Sequence, residues 1–190
     1  RLRDIGAKTQ VLNIRGQLDG GIRYFDIRPC KYRTNEYWTW HGPMGYYGDE
    51  LTGANGILAQ ITAFMDALHA NDRELVVVNI SHFDTAIRAG AFDHAAFIQL
   101  IVNALGAHLI PHDQTQVNLF DEQLHNLLTN GAGQTRSRVA IIYDGAFDQG
   151  REDYVTNNQL PAGFFKLAPK YPYNVAGHYP QANEINFFDQ

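Results

Sequence analysis

The chain has 190 residues, 45% of them hydrophobic, and a formal net charge of −5. That length suffices for one domain burying roughly 70% of its unfolded surface, and an acidic balance with no lysine/arginine cluster argues against a dedicated nucleic-acid binder. No apolar run reaches the ~20 residues of a membrane-spanning helix, and Cys30, the only cysteine, forms no internal disulfide, so the compartment stays open with secretion favoured over the cytoplasm.

In chain order, "KTQVLNIRGQL" carries Val11, Ile14 and Leu18 at helical spacing and stops at Gly20–Gly21, a C-terminal glycine signal. "IRYFDIR" reads as a buried strand, and the aromatic "YWTW" leads into "HGPMGYYG", a loop-like stretch. Ile57, Leu58, Ile61, Phe64, Met65 and Leu68 form the apolar stripe of an amphipathic helix. "ELVVVNIS" is a continuous β-branched run, the mark of a strand covered on both faces. Asp93 is placed to cap a helix whose Phe97, Ile101 and Leu105 share a face. "FDEQLHNLLTN", ended by Gly131, predicts a further helix; "RVAIIYD" and "FFKLAP" predict further strands.

Strands alternating with helices imply a parallel sheet covered by helices. Three predicted strands end in polar residues: Asp26 and Arg28, Ser81 and His82, and Asp144. A (β/α) barrel builds its working site at such strand ends, but eight units need about 250 residues. Only four or five strands are legible, so the expectation is an α/β chain that is either an open sheet or an incomplete TIM-like (β/α) barrel.

Asp26 and Arg28 stand two apart on a strand and so share a face. A guanidinium there, steadied by a carboxylate, suits a phosphate, because it stays charged and donates two parallel hydrogen bonds. The bland alternative is an ion pair that only fixes packing. His41 adds a group that exchanges protons near neutral pH. Of the other histidines, His69 and His125 are read as sitting on helices, and Pro111 separates His108 from His112. His94 shows no partner in the sequence, and His178 in "GHYP" is unassigned. Trp38, Trp40, Tyr46 and Tyr47 suit either lipid contact or a hairpin packing on itself.

The series "QL…GIRYFDIRP…WHG", followed by an amphipathic helix and "ELVVVNIS", resembles the X-domain of phosphatidylinositol-specific phospholipases C, the PLC-like phosphodiesterases. The resemblance covers roughly residues 10–82, with looser likeness in "RVAIIYD" and "AGHYPQANEIN". It implies a TIM-like barrel, and attack of an inositol hydroxyl on phosphorus to give a cyclic phosphate and diacylglycerol. His41 matches the general acid, Arg28 the phosphate-stabilising arginine and Asp26 the carboxylate beside it. Ser81, His82 and Asp144 fall where substrate contacts are expected, with His82 a less favoured stand-in for the general base. In calcium-dependent relatives the "DIR" position carries two acids; arginine at 28 implies metal independence and no cofactor. The partner implied is a phospholipid at a membrane surface.

In the family, the general base lies in a Ser-His-Asp/Asn motif ahead of the "FDIR" strand, and no such motif stands there in this chain. Residues 1–190 are therefore expected to form a single catalytic-type domain lacking the first strand and the last barrel strands. Two alternatives stay open: a phosphodiesterase for another headgroup, and a non-catalytic barrel that binds lipid or protein.

Overall fold

A computed structural model describes residues 11–41, 46–86, 89–113, 119, 121–143 and 160–166. The first predicted helix shortens to α1, Ile14–Asp19. Asn13 sets its start, since its side chain accepts a hydrogen bond from the Gly16 N–H at 2.8 Å. Val11, 91% exposed, lies before that cap and outside the helix. Gly21 adopts φ 97°, a left-handed conformation that ends the helix as glycine allows.

Four strands form a parallel sheet: β1 (Tyr24–Ile27), β5 (Leu75–Ile80), β7 (Arg138–Tyr143) and β8 (Phe164–Phe165). Their spatial order is β1-β5-β7-β8, the order of the sequence, and every pair is parallel. Such an order without reversal builds a barrel wall, whereas doubly wound sheets reverse at a switch point. The described strands form an open α/β wall, four strands of an incomplete barrel.

Helices α2 (Ile57–Ala67) and α3 (His94–Leu105) lie in the crossovers from β1 to β5 and from β5 to β7. Ile57, Leu58, Ile61, Phe64 and Met65 of α2 are buried, as are Phe97, Ile98, Ile101 and Leu105 of α3. They share one core with Phe25, Ile27, Val76, Val78, Ile80, Val139 and Ile141 of the sheet. Asp93 caps α3, its Oδ1 accepting from the Ala96 N–H at 3.0 Å.

On the other sheet face, Ala140, Ile142 and Phe165 pack with Ile110, Leu119 and Leu127. Cover on this face thins toward β1. All six residues of β7 are buried, β5 alternates between half-buried and buried, and Tyr24 of β1 is 50% exposed. The polar strand ends therefore stand at the open side of the wall.

A second sheet was not foreseen beyond the hairpin offered as one reading of Trp38, Trp40, Tyr46 and Tyr47, which β3 and β4 form. It has the order β4-β3-β2-β6, with β2 Pro29–Arg33, β3 Glu36–His41, β4 Tyr46–Glu50 and β6 Asp84–Thr85. Residues 46–48, read as loop, belong to β4. Aromatic and β-branched residues at 37–40 favour strand, and Gly48 lets β4 lie close to β3, where a Cβ would collide with Thr39 Oγ1. The helix predicted over "FDEQLHNLLTN" contracts to α4, Leu124–Leu128. Thr129 leaves it by binding the His125 carbonyl at 2.7 Å and the Thr135 hydroxyl at 2.8 Å. His69 likewise lies past the end of α2, because Leu68 is already extended (ψ 144°).

Candidate functional site

Parallel pairing sets Asp26 beside Asn79 and Ile27 beside Ile80, so Arg28 and Ser81 leave the two strands in step. The Ser81 N–H donates to the Ile27 carbonyl at 3.0 Å, holding that step. Three side chains then converge on one carboxylate. Asp26 Oδ1 accepts from Asn79 Nδ2 at 3.0 Å and from Ser81 Oγ at 2.9 Å, while Oδ2 accepts from Arg28 Nε at 3.3 Å. Arg28 uses only its Nε, so its terminal nitrogens make no hydrogen bond among the described residues; the side chain is 30% exposed. The guanidinium is anchored at its root, with its fork at the surface of the strand end.

His82 extends the same network, its Nδ1 lying 2.8 Å from Ser81 Oγ. Its backbone is left-handed, φ 54°, which costs a non-glycine residue roughly 1–2 kcal/mol. The ring bond to Ser81 helps hold it there, as does the Trp40 indole Nε1–H, which donates to the His82 carbonyl at 2.9 Å. The Trp40 backbone N–H also donates to the Arg28 carbonyl at 3.0 Å. One residue of β3 thus ties together the ends of β1 and β5. Strain held in place by surrounding structure is a feature of functional sites.

Asp26, Arg28, Ser81 and His82 are therefore brought together from two strands. His41 ends β3, paired in register with Tyr46; its side chain, like Asp144 and His178, lies outside the described residues. The remaining histidines stand elsewhere. His94 is buried with Nδ1 2.8 Å from the Tyr143 hydroxyl, a partner that the sequence did not reveal. His108 meets Asp66 at 2.9 Å, and His112 bonds the Thr129 carbonyl.

Two contributors escaped the sequence reading. Asn79 was the one polar interruption in "VVVNI", a signal that was available. Trp40, read as a lipid-contacting candidate, places its indole on the His82 carbonyl, and no local pattern announces that contact. Among the described residues, no group of three or more His, Cys, Asp or Glu is placed to hold a metal ion. No described helix is long and apolar enough to cross a membrane.

No protein-family model matches the chain. It is 32% identical over 106 residues to PI-PLC X domain-containing protein 3 of Bos taurus, an alignment covering 54% of this chain and 29% of that protein. The fold is similar to the F249X mutant of phosphatidylinositol-specific phospholipase C from Staphylococcus aureus, with TM-score 0.51 and 18% identity. That match covers 73% of this chain and 40% of that one. It is also similar to a calcium-dependent phosphoinositol-specific phospholipase C from Pseudomonas sp., with TM-score 0.53 and 14% identity, over 82% of this chain and 59% of that one. The chain thus spans less than two thirds of each of these relatives. It resembles a calcium-dependent enzyme in fold as much as the staphylococcal one. In sequence and in fold, the chain is phospholipase C X-domain-like at the level of the superfamily.

Proposed function

We propose that the chain is a phosphodiesterase unit that cleaves the glycerophosphate bond of phosphatidylinositol-like lipids at a membrane surface. The observation that carries this reading is Arg28, rooted on Asp26 at the open end of the barrel wall with its fork toward the surface. As an inositol hydroxyl attacks phosphorus, charge grows on the non-bridging oxygens. A preorganised guanidinium stabilises that charge, and removing one such donor costs about 10²–10³ in turnover. The attacking hydroxyl belongs to the substrate itself, which adds a proximity gain. His41, at the end of β3, protonates the diacylglycerol oxygen as it leaves; the product is a cyclic phosphate, later opened by water. In this reading Ser81 and His82, joined to Asp26 beside Arg28, are assigned to the headgroup side of the site, and Asp144 is assigned there from its place in the sequence.

The reaction in this reading needs no metal. Calcium takes six to eight oxygen ligands, whereas the Asp26 carboxylate is already shared by Arg28, Asn79 and Ser81. Arg28 supplies fixed positive charge where a cation would otherwise act.

Arg28→Lys tests the assignment, because it keeps the charge and removes the planar fork. Turnover of phosphatidylinositol vesicles falls on the order of 10²-fold or more, with the circular dichroism spectrum unchanged. Equal turnover by the two proteins would show that Arg28 does not hold the phosphate.

A further inference from the structure

Asn79 is the one polar side chain of β5. By alternation it shares a strand face with Val77, which packs beside Ala140 and Ile142. Its register partners are Asp26 on β1 and Ile142 on β7. A carboxylate only accepts hydrogen bonds, so the amide nitrogen of Asn79 must make the 3.0 Å contact to Asp26 Oδ1. That commits the other end of the amide. Asn79 Oδ1 is buried and has no hydrogen-bond partner among the described residues. A buried acceptor left unmet is destabilising, and leucine, of similar shape, would carry none. Asparagine at 79 therefore suits the Asp26 carboxylate better than it suits the stability of β5.

We propose that Asn79 is a positioning residue that trades stability for activity: with Ser81 it fixes the Asp26 carboxylate, and through it the Arg28 guanidinium. The inference deepens the phosphodiester-cleavage reading above and rests on it. Asp26 and Arg28 are 40% and 30% exposed, and their contact at 3.3 Å is long for an N–H···O bond. An ion pair of that kind holds its partners loosely by itself. The order comes from β5. Ser81 Oγ and Asn79 Nδ2 both donate to Asp26 Oδ1, at 2.9 and 3.0 Å. One such bond would let the carboxylate pivot; two, from residues on the neighbouring strand, fix its plane. Oδ2 then stays turned toward Arg28 Nε. A guanidinium fixed in advance stabilises charge growing on the phosphoryl oxygens, and one free to swing must be ordered during the reaction. Asn79 acts only through Asp26 in this account and touches no substrate atom.

Asn79→Leu in the whole chain tests the trade. On phosphatidylinositol vesicles kcat falls about 10- to 100-fold with little change in KM, while the Tm rises by about 2–4 °C. The Arg28 Nε–H, assigned in ¹H–¹⁵N spectra by its loss in Arg28→Lys, exchanges with water faster in Asn79→Leu than in the wild type. A lowered Tm, or a variant that does not fold, would make Asn79 a packing residue and overturn the proposal. A raised KM at unchanged kcat would overturn it too, by making Asn79 a headgroup contact. Wild-type turnover in Asn79→Leu, beside lost turnover in Arg28→Lys, would end the positioning role and leave the phosphodiesterase reading standing. If the wild type cleaves no lipid, that reading fails by itself. The Nε–H exchange then decides the rest: unchanged exchange in Asn79→Leu overturns the control of Arg28 by Asn79, and faster exchange upholds it.

Discussion

His82 and His94 make the same first contact and belong to opposite kinds of site. Each places Nδ1 2.8 Å from a hydroxyl, Ser81 in one case and Tyr143 in the other. Behind Ser81 stands a carboxylate tied to an arginine at the open strand ends. Around His94 stand the rings of Phe83 and Phe92, each with its centroid 4.9 Å away, and the imidazole is only 8% exposed. The two regions meet along the backbone, since Phe83 directly follows His82. A hydroxyl partner therefore says little about a histidine's role; what the hydroxyl itself is bound to says more. The carboxylate region is expected to carry activity, and the aromatic region to carry stability.

Substitutions that separate activity from stability test this division. The largest effect is expected for Asp26→Asn, which removes the negative charge that anchors the Arg28 guanidinium through Nε. Turnover falls by at least about 10²-fold, while the Tm moves little because the side chain is 40% exposed. A large Tm loss at preserved turnover would place Asp26 with the packing residues.

Tyr37 packs in the aromatic region, its ring centroid 4.6 Å from Phe97 and its hydroxyl 3.4 Å from the Asp93 carbonyl. Burial, and secondarily the Asp93 charge, push its phenol up to about 12 from the usual 10.0. The folded state thus favours the neutral phenol, and this contribution is present in full below pH 10. It is lost as pH rises from 10 toward 12, by about 2–3 kcal/mol for a shift of that size. Urea unfolding across that range should show the loss in the wild type and not in Tyr37→Phe; identical pH slopes would contradict the assignment.

Tyr143→Phe removes the hydroxyl bonded to His94 and should cost about 1–3 kcal/mol of stability, read by chemical denaturation, with turnover unchanged. Lost turnover at full stability would move His94 into the working site. Smallest is Asp93→Ala, which removes the α3 cap at about 1 kcal/mol and should lower the Tm without touching turnover.

The parallel wall was legible because its signals are local. The β-branched runs of β5 and β7, the apolar stripes of α2 and α3, and the Asp93 cap each lie within a few residues of sequence. The second sheet was not, because β2, β3 and β4 are defined by pairing with one another and by the close approach of Gly48 to Thr39. At the site, Asp26 and Arg28 could be paired from their spacing on a strand. Joining them to Ser81 required the register between β1 and β5, which no single segment encodes. The hydrogen bond from Ser81 to the Asp26 carboxylate was not legible for that reason.

The central claim is that an arginine, without a metal, supports phosphodiester cleavage at these strand ends. The most direct measurement is ³¹P NMR of phosphatidylinositol vesicles incubated with the chain in excess EDTA. The account predicts a growing inositol cyclic phosphate resonance at a rate that added calcium does not raise. Cleavage seen only with calcium, or vesicles bound but left intact, would contradict it.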